Sequence, residues 1–590
     1  MRKFTADFET NVDENDCRVW AYSICEIGNF SNFIYGNNIE DFITWCANKR
    51  ENYILYFHNL KYDSSYIFSY LLLNGYKCIK DKKEKANKTF TTLISDTGQF
   101  YSIEIYFEVR NEKHVNKVTI YDSLKILNLS VEKIAKDFNL PIRKLELDYN
   151  LKREKGHILT KDEIDYIRND VEIMARALDI MFKENLTKMT IGSDALHHYK
   201  ELNKNFKKYF PILPYEIDKD IRRSYKGGFT YVNEKYKEVE TGAGIVLDVN
   251  SLYPYVLKCC KLPYGDPLFF EGKYEKDSLY PLYIQTISCV FELKNGKIPS
   301  IQIKNSPAFL PNEYVKSSNG DIITLTLTSV DLELFFENYY VYDLTYHTGW
   351  KFKGIIGLFT SYIDYWSERK IQAKKDGNDA LYKISKLMLN SLYGKFGLNP
   401  KVRGKYPYLN ENGIVKFAMY KEEIRDSIYL PVATFVTSYA RKKTITTSQI
   451  LRDYTISKYG TDKYAYSDTD SCHVLLDAEE YEEGKFRLTE KDKELNELIE
   501  IDDYKLGAWK IESKFRRAKF LRQKCYIEEG YNDKLNVTIA GLPKKLGSLI
   551  NFENFKVGFT TENIITDKKK LTYKYVKGGV LLVPTDFTLK

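Results

Sequence analysis

Apolar and polar positions divide the chain into blocks of different character. Over roughly the first 190 residues, short apolar runs alternate with amphipathic stretches. Lys3 to Phe8, Tyr53 to Phe57 and Val118 to Tyr121 read as strands. Thr160 opens a long helix, since Glu163 completes a capping box and Ile164, Ile167, Val171, Met174 and Leu178 recur at the helical period. The expectation is an α/β unit built on a central sheet. Ile245 to Leu247 then forms a short apolar strand ending at Asp248, and residues 262 to 357 are strand-rich and punctuated by turns. Ser361 to Phe396 is helical but interrupted near Asp376-Gly377-Asn378, the pattern of an antiparallel helix pair. Strand and turn material surrounds Asn399-Pro400, and a helix follows near Thr434 to Arg452. Several short strands end the chain around Gly541-Leu542-Pro543 and Gly578-Gly579.

Acidic residues interrupt these patterns at places where a buried charge would need a reason. Asp468 and Asp470 stand between the apolar flanks Tyr464-Ala465-Tyr466 and His473-Val474-Leu475-Leu476. They therefore lie at the tip of a hairpin or in one extended run, where residues i and i+2 share a face. At ~6 Å two such charges repel by roughly 3 kcal/mol at an effective dielectric of ~20. A buried pair calls for a cation, and all-oxygen ligation suits magnesium or manganese; an exposed turn is the plainer alternative. Asp7 and Glu9 likewise share a strand face, Asp63 follows in His58-Asn59-Leu60-Lys61-Tyr62-Asp63, and Tyr166 and Asp170 are i and i+4 on one helix. Four acids and a tyrosine can hold two divalent ions about a phosphodiester. Lys386, Asn390 and Tyr393 fall on one helical stripe, a cation, an amide and an aromatic that suit a triphosphate and its base.

Composition narrows the classes. At 590 residues the chain exceeds one core and calls for several domains. Its 43% hydrophobic and 29% charged content fits a soluble globular protein, and no run approaches the ~18 apolar residues of a membrane span. Met1-Arg2-Lys3 meets Asp7 and Glu9 with no apolar signal core between, so a cytoplasmic protein is expected. Nine cysteines without a CxxC pair argue against zinc and against a disulfide framework. The net charge of +8 is modest, but Lys514, Arg516, Arg517, Lys519, Arg522 and Lys524 crowd one stretch interleaved with Phe515, Phe520 and Tyr526. Residues Asp477 to Asp503 are by contrast strongly acidic, so the two blocks form a steering pattern or two solvated faces. The 49 tyrosines offer flat faces for base stacking as well as ordinary core material.

The order DxE, Asn-x₃-Asp, Tyr-x₃-Asp within the first 190 residues resembles the DEDDy proofreading 3′→5′ exonucleases. Across essentially the whole chain, Asp248-Val249-Asn250-Ser251-Leu252-Tyr253-Pro254, the Lys386 to Gly394 segment, Tyr466 to Ser471 and Lys524-Cys525-Tyr526 resemble the ordered motifs of family B DNA polymerases. Tyr225-Lys226-Gly227-Gly228 lies between the halves, as in the protein-primed bacteriophage branch. The fold implied is α/β and multidomain, an RNase H-like exonuclease followed by a right-hand polymerase with two insertions. Its implied divisions are exonuclease 1–190, palm 191–261 and 429–531, first insertion 262–357, fingers 358–397, second insertion 398–428 and thumb 532–590.

The resemblance also implies residue roles. Asp248, Val249 and Asp468 would hold two Mg²⁺ or Mn²⁺ ions, with Asp470 supporting. Lys386, with Lys370 or Lys374, would grip the triphosphate, while Ser251, Leu252, Tyr253, Asn390 and Tyr393 complete the nucleotide site. Tyr253 would exclude a ribose 2′-hydroxyl. Asp7, Glu9, Asp63 and Asp170 would hold a second pair of ions, with Tyr166 orienting water and Lys144 assisting catalysis. DNA contacts are implied at Thr10, His58, Asn59, Tyr62, Tyr66, Ser123, Leu124 and Tyr149 for the single-stranded primer end. For the primer–template they are implied at Tyr225, Gly227, Gly228, Ser391, Gly394, Thr437, Arg441, Lys524 and Tyr526. The implied protein is a monomer in the cytoplasm of an infected bacterium, acting on single- and double-stranded DNA and dNTPs with a priming terminal protein. It would replicate a linear phage genome by protein-primed, strand-displacing, proofreading synthesis, with no membrane partner. The competing readings are a metal-dependent 3′→5′ exonuclease with a DNA-binding appendage, and a non-catalytic nucleic-acid-binding protein.

Overall fold

The computed structural model describes residues 1–11, 13–48, 51–148, 151–303, 310, 313–562 and 569–589. The N-terminal unit is built on an eight-stranded sheet, with Arg2–Thr10, Tyr53–Phe57 and Val115–Asp122 parallel at its centre. Alternation in the first strand decides its two faces: Phe4, Ala6 and Phe8 enter the core, leaving Thr5, Asp7 and Glu9 on the opposite side. Phe8 packs edge-on against Phe42 and Phe57. On the acidic face the helix Lys161–Lys183 closes in, its Val171 carbonyl accepting from Thr5 Oγ1 at 2.7 Å. Thr160 and Glu163 form the expected capping box.

The second large sheet runs in the spatial order Leu535–Ile539, Cys525–Gly530, Trp509–Arg522, Gly244–Val249, Ser471–Val474, Tyr464–Asp468 and Thr230–Val232. Leu535–Ile539, in the stretch expected to begin the thumb, pairs with Cys525–Gly530 and continues this sheet. Beneath it lies the helix Leu430–Tyr459, longer at both ends than its apolar stripe suggests. Pro431 suits the first turn and Gly460, at φ 67°, ends the helix. Its small hydroxyls meet the sheet: Thr444 Oγ1 donates to the Thr469 carbonyl at 2.7 Å, and Trp509 Nε1 donates to Thr447 at 3.1 Å.

Residues 262–357 form a four-stranded sheet of their own, with the helix Ser329–Asn338 inserted where only strands and turns were expected. Thr328 caps it, and Leu332 and Phe335 fill a separate core with Ile287, Cys289 and Phe291. The helices Thr360–Lys375 and Asp379–Phe396 pack as the expected pair. Gly377 turns at φ 66°, and Asn378 caps the second helix. Hairpin Lys405–Leu409/Val415–Met419 and the C-terminal hairpin Lys570–Val576/Gly579–Thr585 both fold back onto the N-terminal unit, where Val415, Val576 and Val580 join its core.

The basic stretch is not a free patch. Arg517 pairs with Glu529 and Glu240, Arg516 with Glu529 and Asp533, and Lys514 with Asp477 from the acidic block. All nine cysteines are free. No helix among the described residues is long and apolar enough to cross a membrane.

Candidate active sites

The first site lies where the strand Arg2–Thr10 meets two helix segments. One carboxylate oxygen from each of Asp7, Glu9 and Asp170 falls within 4.8 Å of the other two. Asp63, buried on the helix Leu60–Leu73, completes the group. Burial and mutual repulsion push these acids up. Asp7 rises to about 7, chiefly by burial and then by Asp170, and Glu9 and Asp63 rise well above the usual carboxylate range. One cation relieves them in part: Lys144 pairs with Asp170 and lies 3.3 Å from the Tyr166 hydroxyl. Asp63 Oδ1 and Asp170 Oδ1 are buried without a hydrogen-bond partner among the described residues. Oxygen donors this crowded, this protonatable and this incompletely satisfied fit a divalent hard cation.

That environment fixes a sign. Because burial raises Asp7 to about 7 and holds Glu9 and Asp63 well above the usual carboxylate range, cation binding below that pH must displace protons. Titrating Mn²⁺ calorimetrically at pH 6.5, in buffers of different ionisation heat, should therefore show net proton release that lessens as the pH is raised. No buffer dependence at pH 6.5 would contradict the shifted acids.

The second site is a row across the second sheet. Register places Thr230, Asp468, Ser471, Asp248 and Lys510 side by side on five neighbouring strands, so all five side chains leave one face. Thr469, at φ 62°, and Asp470 make a tight hairpin turn, so the alternative of one extended run is excluded. Asp470 instead reaches the same cleft from the turn, and its carbonyl accepts from Val249 N at 2.8 Å. The cleft has a volume of about 450 Å³ and is lined by Asp248, Asp468, Asp470, Glu512, Lys524 and Tyr526 among others. Burial, then Glu512 and Asp470, push Asp248 up to about 7, while Lys510 opposes them from 3.5 Å. Lys524 Nζ stands 3.6 Å from Asp468, and the Tyr466 hydroxyl bridges Lys524 N and the Asp468 carboxylate.

Glu512 was not legible in the sequence. Val246 pairs with Ser513 and Leu247 with Ile511, which leaves Glu512 as the extra residue of a β-bulge. Simple alternation cannot say where a bulged side chain points. Lys510 was missed as well, since its role follows only from facing Asp248.

Across the cleft, the two helices supply cations and rings. Burial and then repulsion from Lys386, Lys510 and Lys374 lower the pKa of Lys370. Lys386, Lys510 and Lys374 thus gather around Lys370 as one cationic group. Lys370 is half-buried, whereas Lys374 and Lys386 are exposed. Tyr253 stacks on Tyr393 with ring centroids 4.0 Å apart. Gly228 is needed because a Cβ there would lie 2.7 Å from Thr469 Cγ2, while Thr469 N donates to the Phe229 carbonyl at 2.6 Å. The Tyr225 to Gly228 loop thus props the acidic hairpin.

Several residues expected to contact DNA have their polar atoms engaged within the protein. Arg441 is 2% exposed, and its guanidinium makes three hydrogen bonds to Asp331 and bonds the carbonyls of Lys226 and Gly227. It braces the loop from within. Thr437 is buried and donates to its own helix. His58 spends both ring nitrogens, on Ser123 Oγ and the Leu129 carbonyl, and Ser123 itself is fully buried. Tyr66 is buried with its hydroxyl donated to the Val580 carbonyl, and Leu252 is buried as well. Val249 has a buried side chain and can offer only its carbonyl. Thr10, Asn59, Tyr62 and Leu124 lie around the first site, and Tyr149 falls outside the described residues. Ser391 bonds its own helix through Oγ, while Gly394 is exposed. Replacing Arg441 by alanine should strand the Asp331 charge, costing ~3–5 kcal/mol in a denaturant melt; a change under ~1 kcal/mol would contradict the brace.

Residues 46–159 and 150–480 match the family model of DNA polymerase type B, organellar and viral. The chain is 44% identical to the DNA polymerase of Bacillus phage B103, covering 100% of both chains. It is 43% identical to that of Bacillus phage phi29, over 100% of this chain and 99% of the relative. Identity to the DNA polymerase of Streptococcus phage Cp-1 is 32%, over 100% and 98%. A solved structure of phi29 DNA polymerase complexed with primer-template DNA and incoming nucleotide superposes with a TM-score of 0.89 at 42% identity, covering 100% of both chains.

Proposed function

The chain belongs to the organellar and viral type B DNA polymerases and is a phage-type DNA-directed DNA polymerase dependent on divalent metal, and from that premise we propose how its two sites divide the work. The sheet row Asp468–Ser471–Asp248 faces the lysines of the helix pair and is the nucleotide-addition site. The Asp7–Glu9–Asp63–Asp170 cluster removes nucleotides from a mispaired 3′ end. When two Mg²⁺ or Mn²⁺ ions are bound at either site, they activate the attacking oxygen and stabilise the leaving one.

The side chains hold and orient the substrates. Lys386 and Lys370 bind the triphosphate, with Lys374 at the rim. Tyr253, held against Tyr393, forms the floor under the sugar and leaves no room for a 2′-hydroxyl. Lys524 and Tyr526 hold the primer end beside Asp468. In the editing site, Tyr166 and Lys144 position the attacking water. Thr10, Asn59, Tyr62 and Leu124 hold the single strand. Editing complements insertion because a mispair changes binding by only ~1–3 kcal/mol, a factor of roughly 10–200. The observation carrying this reading is the sheet register, which unites Asp248 with Asp468. A nuclease with a mere appendage would leave that row, and the lysines facing it, without a role.

The sheet over residues 262–357 and the hairpin elements of 398–428 are proposed to contact a priming terminal protein and to wrap the duplex, so that strands separate as a monomer advances in the infected host's cytoplasm. A single primed circle, incubated with the protein, dNTPs and Mg²⁺ alone, should yield products many circle-lengths long. Products ending at one circle-length would reject strand displacement.

A further inference from the structure

The C-terminal hairpin Lys570–Val576/Gly579–Thr585 lies on the helix Leu60–Leu73 of the first unit. Its seating is close. The Tyr66 hydroxyl donates to the Val580 carbonyl at 2.7 Å, and Lys574 pairs with Glu14 at 2.6 Å. A Cβ at Gly579 would lie 2.3 Å from the Tyr66 ring, and one at Gly578, where φ is 95°, would lie 2.2 Å from the Cys17 carbonyl. Only a bare Gly-Gly turn lets the strands approach this far.

This anchoring fixes Tyr573. Tyr573 and Tyr575 leave the same face of the strand; Tyr575 packs on Phe417, 5.6 Å between centroids. Tyr573, half-buried, is carried to the mouth of the editing site. Asn59 Nδ2 donates to its hydroxyl at 3.4 Å, and its ring lies 6.4 Å from that of Tyr62 at an angle of 60°. Lys61 Nζ stands 4.5 Å above the Tyr573 ring. Tyr62 in turn bonds Thr10 at 2.5 Å, next to Glu9. Aromatic faces and hydroxyls therefore run without a break from the hairpin to the acidic cluster. Lys405 and Lys125 neighbour Lys61, so cations gather at the rim where a phosphate backbone would pass.

We propose that Tyr573 is a further binding residue for the single-stranded 3′ end, a stacking wall facing Tyr62 that the C-terminal hairpin delivers to the editing cleft. The inference rests on the editing role of the first site. Stacking on one aromatic side chain affects single-strand binding by roughly tenfold. Tyr573→Ala should accordingly weaken binding of a fluorescein-labelled oligothymidylate about tenfold, read by anisotropy in EDTA. It should raise KM for degrading that oligonucleotide without lowering kcat, while matched-primer extension and Tm stay at wild-type values. Tyr573→Phe and Tyr573→Trp should retain binding within about twofold.

Unchanged binding in Tyr573→Ala would overturn the proposal. So would equal losses in the alanine and phenylalanine variants, or a loss of Tm and both activities together, which would make Tyr573 only a hairpin anchor. Binding is read without hydrolysis, so failure of the editing reading is separable. That failure would show instead as degradation persisting when Asp7 and Glu9 are removed.

Discussion

Replacing Asp468 by asparagine should stop nucleotide addition while 3′→5′ degradation continues. The substitution keeps the shape of the side chain and removes its charge. The bonds that close the hairpin turn do not use that charge, because Asp470 N and Ser471 Oγ both bond the Asp468 carbonyl. What is lost is one of the two carboxylates that register sets across Ser471, and with it the partner of Lys524. Losing an anionic ligand of the reacting centre should slow incorporation by at least ~10³-fold, about 4 kcal/mol of barrier. Asp470→Asn should also slow incorporation, because the Asp470 carboxylate lines the same cleft and acts directly on Asp248, while its carbonyl keeps the bond from Val249 N. Single-turnover incorporation on a matched primer reads both values. Degradation of a single-stranded oligonucleotide by the same preparations shows that the other site is intact.

The second large effect is expected from Asp7→Ala with Glu9→Ala. Degradation should fall below detection and primer extension should survive, because the acids belong to a different sheet and a different core from the polymerising row. Stability should move the opposite way. Asp7 is raised from 3.8 to about 7, chiefly by burial, and burial also raises Glu9 well above the usual carboxylate range. For an acid whose folded pKa lies above its unfolded value, the wild type loses stability as pH rises from about 4 to 7 and remains at that deficit above it. The double variant is free of this cost. In EDTA its Tm should therefore exceed that of the wild type at pH 8, with the gap closing toward pH 4. Adding Mn²⁺ should raise the wild-type Tm more than the variant's, which keeps only the polymerising carboxylates. A variant Tm below wild type at pH 8 in EDTA would mean that the carboxylates are structural.

The sequence disclosed what repeats locally and withheld what only folding assembles. Alternation in the first strand already separated Phe4 and Phe8 from Asp7 and Glu9, and the Thr160–Glu163 pair marked the start of its helix. Asp468 could be placed at the tip of a hairpin, but its row with Asp248 and Lys510 is set by strand register, which no local pattern encodes. Glu512 lay hidden because a bulge breaks the alternation by which its direction would be read. The brace that Arg441 makes lay hidden for a related reason, since only the packing of Asp331 from a separate unit reveals it. His58, Ser123 and Tyr66 were matched to contacts of the single strand, yet their polar atoms are spent on bonds within the protein. The contact between Tyr573 and Asn59 joins residues from opposite ends of the chain, and the strands of a distant hairpin carry no sequence mark of where they dock.

One gel tests the division of labour most directly. A 5′-labelled primer with a mismatched 3′ end, annealed to its template, is given dNTPs and Mg²⁺ with the wild type, Asp468→Asn, or the Asp7→Ala/Glu9→Ala variant. The wild type should trim the mismatch and then extend. Asp468→Asn should only shorten the primer, and the double variant should leave the mismatch in place while still extending a matched control. Loss of both activities in either variant at wild-type Tm, or trimming that persists without Asp7 and Glu9, would contradict two separate carboxylate sites.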